Sequence, residues 1–217
     1  KLLPFTKLSY FRKVYIINSR AFKIIKKNNI SNRYLCFIDS NFCALDRVLR
    51  EGKINNKDKK LYYYYLKKLF FELQKIFKKK MIICVHPKNN DKIFYSYFKK
   101  FTIRKYETSK IITKSAIVLF HDSSAITDAI LQKKNIISLN SELLGNYLNK
   151  STKLYSKILG THSIELDKNY QLNKTELIKK LNITKKKMNF YVKNNLKSDG
   201  NRLGKDKIVD IIKKEFL

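Results

Sequence analysis

The sequence predicts an α/β protein with a doubly wound, Rossmann-like, largely parallel sheet. Two observations predict this class. Short, continuously apolar runs alternate with longer amphipathic stretches along most of the 217 residues, and several of the apolar runs end in polar side chains. Continuous apolarity indicates strands that are buried on both faces, and strands that alternate with helices imply crossover connections.

The elements are assigned from periodicity and from capping residues. The predicted strands are runs of four to six residues at 13–18, 34–39, 81–86, 116–121, 135–140 and 163–166. The stretch 57–79 repeats apolar residues at helical spacing, and Asn173 with Glu176 marks a helix start. The predicted helices are 57–79, 91–101, 108–114, 124–132, 141–158 with a break near Gly145, 173–181, 185–197 and 205–216.

The chain shows neither an internal repeat nor a linker rich in Pro, Gly or Ser. We predict that residues 1–30 are the end of a preceding domain or a linker, that 31–182 are a Rossmann-like domain, and that 183–217 are C-terminal helices that pack back on it. Because the first residue is Lys1 and not Met, we expect a longer gene product.

Composition restricts the partners. Lys and Arg number 48 against 17 acidic residues, a net charge of +31, but only seven of the 48 are Arg and the lysines occur in every segment. Arg is the residue that reads bases and forks onto phosphates, so we expect no specific nucleic acid and instead a weak attraction to anionic lipid head groups. No apolar run approaches the roughly 20 residues that span a bilayer. Cys36, Cys43 and Cys84 lack metal-ligand spacing and indicate reduced, buried thiols of a cytoplasmic protein.

The strongest local signal is HDSSAITDAIL, residues 121–131. A buried strand runs directly into a helix, and Ser123 or Ser124 is expected as its N-cap, with free backbone N–H groups beyond it. Such a helix start binds phosphate, so His121, Asp122, Ser123 and Ser124 are predicted to bind substrate. The alternative is that the two serines only cap the helix.

A second signal is ICVHPK, residues 83–88, where a proline directly follows a strand. Pro87 ends the strand and holds His86 in an extended conformation at the edge of the sheet. Imidazole could donate to a phosphate oxygen there, with Lys88 as an additional charge, so His86 is a predicted catalytic residue. A lone histidine is otherwise commonly structural.

Further polar side chains follow other strands. The segment FIDSNFCALDRVLREG, residues 37–52, supplies Asp39, Asp46 and Glu51. Asp39 and Asp46 are candidate catalytic carboxylates that could bind a ribose, orient a sugar hydroxyl or act as a base, or could instead cap a turn. Asn140 and Ser141 follow another strand and are predicted to bind substrate.

Several enzyme classes lack their signatures here. The sequence contains no zinc-ligand pattern, P-loop, GxGxxG fingerprint or nucleophile elbow. Readings as an ATPase, a hydride-transfer enzyme or a serine hydrolase therefore lose their main support, and neither a cofactor nor a metal site is predicted.

The motif VHPK, followed about 35 residues later by LFHDSSAITDAILQKKNIISLNS, resembles the donor-binding half of bacterial GT-B glycosyltransferases that build capsule or lipopolysaccharide. It is similar in kind to sialyltransferase, polysialyltransferase and Kdo-transferase-like enzymes with His-Pro and Ser-Ser motifs. The resemblance covers about half of the chain, residues 33–145. It implies that His86 with Pro87, and Ser123 with Ser124, bind the phosphate of a CMP-sugar. The acidic-acidic-Gly motif of the acceptor half is not present; Arg50 before Glu51 breaks the nearest approach to it.

The leading interpretation is a glycosyltransferase donor domain that transfers a sugar from a nucleotide-sugar to a glycan or glycolipid acceptor without a metal, in the cytoplasm and in peripheral contact with the inner face of an anionic membrane. Two alternatives stay open. One is an enzyme like the sugar-nucleotide 2-epimerases. The other is a non-catalytic basic module that binds RNA or another anionic polymer.

Overall fold

A computed structural model describes residues 31–41, 55–168 and 172–196. The chain divides into two compact units, of which the larger is Ile25–Tyr191. Of the second unit, the structure describes only the short π-helical stretch Val192–Leu196.

The described residues form one sheet of six parallel strands: β1 (Tyr34–Ile38), β2 (Met81–Val85), β3 (Thr102–Lys105), β4 (Ser115–Phe120), β5 (Asn135–Asn140) and β6 (His162–Glu165). Their order is β3-β2-β1-β4-β5-β6, and every neighbouring pair is parallel. In the centre, Cys36 of β1 lies opposite Ile82 of β2 and Val118 of β4. The chain builds outward in one direction from β1 to β3 and in the other from β4 to β6. This arrangement confirms the predicted doubly wound parallel sheet and places a topological switch point between β1 and β4.

Six α-helices are described: α1 (Asn56–Phe77), α2 (Lys92–Phe98), α3 (Thr108–Thr113), α4 (Ile126–Leu131), α5 (Asn146–Leu159) and α6 (Lys174–Tyr191), with a 3-10 turn at Glu142–Leu144. Polar side chains precede three of them and accept from their first turns, because the first N–H groups of a helix lack partners within it. The Asp58 amide donates to the Asn55 side chain (2.8 Å), the Ile93 amide to the Asp91 side chain (3.0 Å) and the Glu176 amide to the Asn173 side chain (3.1 Å). None of the described helices has the length and apolarity that crossing a membrane requires.

Both faces of the sheet are buried, as continuous apolarity predicts. Leu35 and Phe37 of β1 belong to a core cluster on one face, where the Phe37 ring lies 5.1 Å from the Phe70 ring of α1. Alternation along the strand directs Cys36 to the opposite face, where its sulfur lies 3.6 Å from that of Cys84. Both thiols are free in the structure, and their predicted burial is confirmed, whereas Cys43 lies outside the described residues.

The structure differs from the predicted elements in two places. Strand β3 was not predicted, and it pairs with β2 at one end of the described sheet. The chain is helical without interruption from Lys174 to Tyr191, so the prediction of separate helices at 173–181 and 185–197 was wrong. The predicted break near Gly145 is confirmed, with φ 87° between the 3-10 turn and α5. The strand predicted at 13–18 and the helix at 205–216 lie outside the described residues, and the domain boundaries near 30 and 182 remain predictions.

Candidate functional site

The carboxyl ends of β2, β1 and β4 lie side by side, and each continues into a polar loop. We call these loops, residues 39–41, 86–89 and 121–124, the switch-point edge. Because β1 lies between β2 and β4 in the sheet, residues 39–41 lie in the centre of this edge. Open parallel sheets bind ligands at this position, since the chain leaves the switch point toward opposite sides and opens a crevice there.

Asp39 organises the first two loops. It is 4% exposed, and both of its carboxylate oxygens accept hydrogen bonds. Oδ1 accepts from the Asn41 amide (3.0 Å), while Oδ2 accepts from the backbone amide of His86 (3.0 Å) and from the side-chain amide of Asn89 (2.7 Å). A buried carboxylate needs such donors to offset its lost hydration. Asp39 therefore ties the end of β1 to the loop after β2.

The position of the His86 ring is set by its Nδ1 atom. The backbone amide of Lys88 donates to Nδ1 at 3.2 Å, and the side-chain amide of Asn41 lies 3.5 Å from the same atom. Because Nδ1 accepts, a neutral ring carries its proton on Nε2. The residue His86 is partly exposed and the following Pro87 and Lys88 are exposed, so Nε2–H is the donor that the ring could offer to a ligand.

The third loop joins this edge through Ser40, whose hydroxyl accepts from the Asp122 amide at 3.3 Å. Ser123 and Asp122 are partly exposed and Ser124 is exposed. The predicted serine N-cap was wrong, because the residue before α4 is Ala125, whose amide lies 3.4 Å from the Ser123 hydroxyl.

The expectation of free N–H groups at the start of α4 was also wrong. The amides of Ile126, Thr127 and Asp128 donate to the carbonyls three residues earlier, at 3.1, 3.2 and 3.1 Å. This tight first turn uses the donors that an open helix end would offer to an anion. Within the described part of the chain, the amides and hydroxyl groups of Ser123 and Ser124 are the donors that this loop has left for a ligand.

His121, predicted to bind substrate, lies in the core with 1% of its surface exposed. Its Nε2 is 2.5 Å from the Tyr62 hydroxyl, and its Nδ1 contacts the carbonyl oxygen of Leu139. A carbonyl oxygen only accepts, so Nδ1 donates and Nε2 accepts from Tyr62. Burial, followed by the negative charges of Asp39 and Asp167, raises the pKa of Tyr62 well above its ordinary value. The His121 ring thus joins β4, β5 and α1 and faces the core, so it offers no donor to a ligand at the switch-point edge.

Asn140 and Ser141, also predicted to bind substrate, are buried beside β6. The Asn140 side-chain amide donates to Ser163 Oγ and Glu165 Oε1, both at 2.7 Å, and the Ser141 hydroxyl donates to Asp167 Oδ1 at 2.7 Å. These bonds connect the ends of β5 and β6, so both side chains belong to a separate polar cluster. Asp46 and Glu51 lie outside the described residues.

Sequence reasoning missed three residues of the edge: Ser40, Asn41 and Asn89. The signal was present in the segments IDSN and HPKNND, since Ser and Asn directly after a strand commonly bond to nearby backbone groups in turns. Asn41 adopts φ 46°, a left-handed conformation that asparagine tolerates better than most residues. In the part of the chain that the structure describes, no group of three or more His, Cys, Asp or Glu side chains could hold a metal ion.

Comparisons with known proteins place the chain only loosely. No protein-family model and no curated protein matches it. Two structures of UDP-GlcNAc 2-epimerase from Methanocaldococcus jannaschii, one in complex with UDP-GlcNAc and UDP, match with 18% and 17% identity, TM-scores of 0.43 and 0.44, and coverage of 87% and 88% of this chain and 47% of each structure. The calicheamicin glycosyltransferase CalG4 matches with 6% identity and a TM-score of 0.43, over 86% of this chain and 44% of its own. The chain spans about half the length of these structures. The fold assignment rests on the order and direction of the described strands.

Proposed function

We propose that the switch-point edge binds the phosphate of a nucleotide-sugar and that the chain is the donor-binding part of a glycosyltransferase. The observation that carries this proposal is the fixed orientation of His86, whose Nδ1 accepts from the Lys88 amide. The ring consequently offers Nε2–H at the edge of the sheet where open α/β proteins bind ligands.

The strand order supports a bridging position for the phosphate. β2 and β4 are separated by β1, which is two strand spacings or about 10 Å. A phosphate above the end of β1 would lie between His86 on one side and the hydroxyls of Ser123 and Ser124 on the other. The first amides of α4 are already hydrogen-bonded within the chain, so they do not donate to the phosphate. The donors of the proposed site are therefore these side chains and the backbone amides of the two serines.

The proposed chemistry is electrostatic. As the bond between the anomeric carbon and the phosphate oxygen breaks, negative charge grows on the departing phosphate. His86 Nε2–H, the serine hydroxyls and the Lys88 ammonium would stabilise that charge from fixed positions. Asp39 has both oxygens occupied by three donors, so we assign it a positioning role for His86 in place of the predicted catalytic role.

We propose the identity of the donor, the acceptor and the location from the sequence resemblance. It favours a CMP-sugar as donor, a surface polysaccharide or lipooligosaccharide as acceptor, and metal-independent transfer in the cytoplasm at the inner face of the membrane.

The test is thermal stabilisation by CMP, CDP, UDP and ADP, each measured with and without EDTA. We expect one nucleotide to stabilise the protein selectively and EDTA to leave that shift unchanged. His86→Ala should weaken binding about 10- to 100-fold, the value of a hydrogen bond to a charged group, and Ser123→Ala or Ser124→Ala less. His162→Ala is the matched control. This partly buried histidine is the first residue of β6, the outermost described strand on the β5 side, and lies away from the switch-point edge.

Indifference to all four nucleotides would refute the proposed site, and tight, salt-sensitive RNA binding would then support the basic-module alternative. An epimerase-like enzyme would show the same nucleotide binding. It is separated by incubating the nucleotide-sugar with the full protein and following the sugar by NMR, because epimerisation inverts a ring carbon whereas transfer releases the nucleotide.

A further inference from the structure

Helix α5 carries apolar side chains on the side that faces solvent. Tyr147, Leu154 and Ile158 are 44%, 58% and 46% exposed. Their spacing of seven and four residues places them on one face of the helix. Leu148 and Leu159, on a different face of α5, are buried and attach the helix to the domain. Leu154 and Ile158 therefore keep about half of their surface outside the core.

Lysines flank this stripe. Lys150, Lys153 and Lys157 are all exposed, and the residues of α5, NYLNKSTKLYSKIL, contain neither Asp nor Glu. Because positions three and four apart are neighbours on a helix, Lys150 lies beside both Tyr147 and Leu154. The outer surface of α5 is thus apolar along its middle and positively charged along its side.

We propose that the outer surface of α5 binds an anionic phospholipid membrane, with Leu154 and Ile158 at the boundary between head groups and acyl chains. Helices that lie in this interface combine an apolar face with a lysine-rich polar face. Long lysine side chains keep their ammonium groups among the lipid phosphates while their methylene groups cover apolar surface. This inference is independent of the proposed nucleotide site.

The observations favour a lipid surface over other partners. An RNA or another polyanion would use the lysines and leave the apolar stripe in water. A second copy of the chain that docked through the same helix would bring six lysines together without a carboxylate from α5, which like-charge repulsion opposes. Helix α1 also exposes apolar residues, but Asp58 and Glu72 lie on the same helix.

The test is co-sedimentation of the full chain with vesicles of phosphatidylcholine alone, or of phosphatidylcholine and phosphatidylglycerol in equal parts. We expect binding to the anionic vesicles only. Replacing Lys150, Lys153 and Lys157 together by Gln should weaken it roughly 100-fold, at about fivefold per lysine. The matched control replaces three exposed α1 lysines, Lys60, Lys68 and Lys75, by Gln, which changes the net charge equally; we expect a loss of less than about threefold, because charges beyond a Debye length are screened.

A second variant, Leu154→Ser with Ile158→Ser, keeps the net charge and should weaken vesicle binding several-fold. Both side chains are exposed, so the thermal midpoint should not change. The proposal is overturned if the double serine variant binds vesicles as the wild type does, if the α1 variant loses more binding than the α5 variant, or if the α5 residues govern self-association or RNA binding with no effect on vesicles.

Discussion

Replacing Tyr62 by Phe removes a single oxygen from the core below the switch-point edge. That oxygen is 2.5 Å from Nε2 of His121, in a contact between fully buried side chains. Because Nδ1 of the same ring donates to the Leu139 carbonyl, Nε2 needs a donor, and Tyr62 supplies it. Tyr62→Phe withdraws this donor and leaves the rest of the ring in place.

The magnitude follows from the burial. The net value of a neutral hydrogen bond is about 1 kcal/mol, and an unsatisfied buried acceptor raises the cost to about 1–3 kcal/mol. For a chain of this size each kcal/mol lowers the melting temperature by about 2–4 °C, so Tyr62→Phe should lower it by roughly 2–12 °C.

The assay is urea unfolding together with calorimetry. Tyr64→Phe is the matched control, since Tyr64 lies on the same helix and is 56% exposed, and it should change the free energy of unfolding by less than about 0.5 kcal/mol. With His121→Leu as the second substitution, a double-mutant cycle should give a coupling of about 0.5–3 kcal/mol. Equal, small effects of Tyr62→Phe and Tyr64→Phe, with no coupling, would refute the reasoning.

Three further predictions concern other buried polar groups. The mutual contact of Cys36 and Cys84, together with burial, raises the pKa of the Cys36 thiol. In a variant whose third cysteine is replaced by serine, neither buried thiol should react with a disulfide reagent until urea unfolds the chain. Fast labelling of the native protein would contradict this. Burial lowers the pKa of Lys134 from 10.5 to about 8. Between these two pH values the unfolded chain binds more protons at this site than the folded chain, so the free energy of unfolding should rise with pH relative to that of Lys134→Gln. Parallel curves of stability against pH for the two proteins would disprove this. Asp39→Asn places an amide NH₂ group among hydrogen-bond donors and should lower the free energy of unfolding by about 1–3 kcal/mol. It should also weaken nucleotide binding, as measured by thermal shift. If only the stability falls, Asp39 does not position His86.

Hydrophobic runs were sufficient to predict the strands in the centre of the sheet, because those strands are buried on both faces. β3 could not be found in this way. Its sequence, TIRK, contains one apolar residue, and its burial pattern is mostly exposed, so its hydrogen bonds to β2 are what make it a strand. Such pairing is a tertiary property that hydrophobic periodicity does not report.

The sequence predicted which loops form the candidate site better than it predicted which way their side chains face. The end of a parallel strand is readable from sequence, but whether the next side chain faces the cleft or the core depends on its partners. His86 is held outward by Asn41 and the Lys88 amide, whereas His121 is held inward by Tyr62, which precedes it by 59 residues. Separations of this length leave no local pattern in the chain.

The outermost strand on the β2 side of the described sheet, β3, has one further consequence. Among the residues that the structure describes, no strand pairs with the other side of β3. A strand placed in this way can accept the strand of another molecule. Here that strand is four residues long, and two of them, Arg104 and Lys105, are exposed and charged. A second molecule that added at this side would bring like charges close together. The charged residues that kept β3 from being predicted as a strand therefore also oppose such pairing.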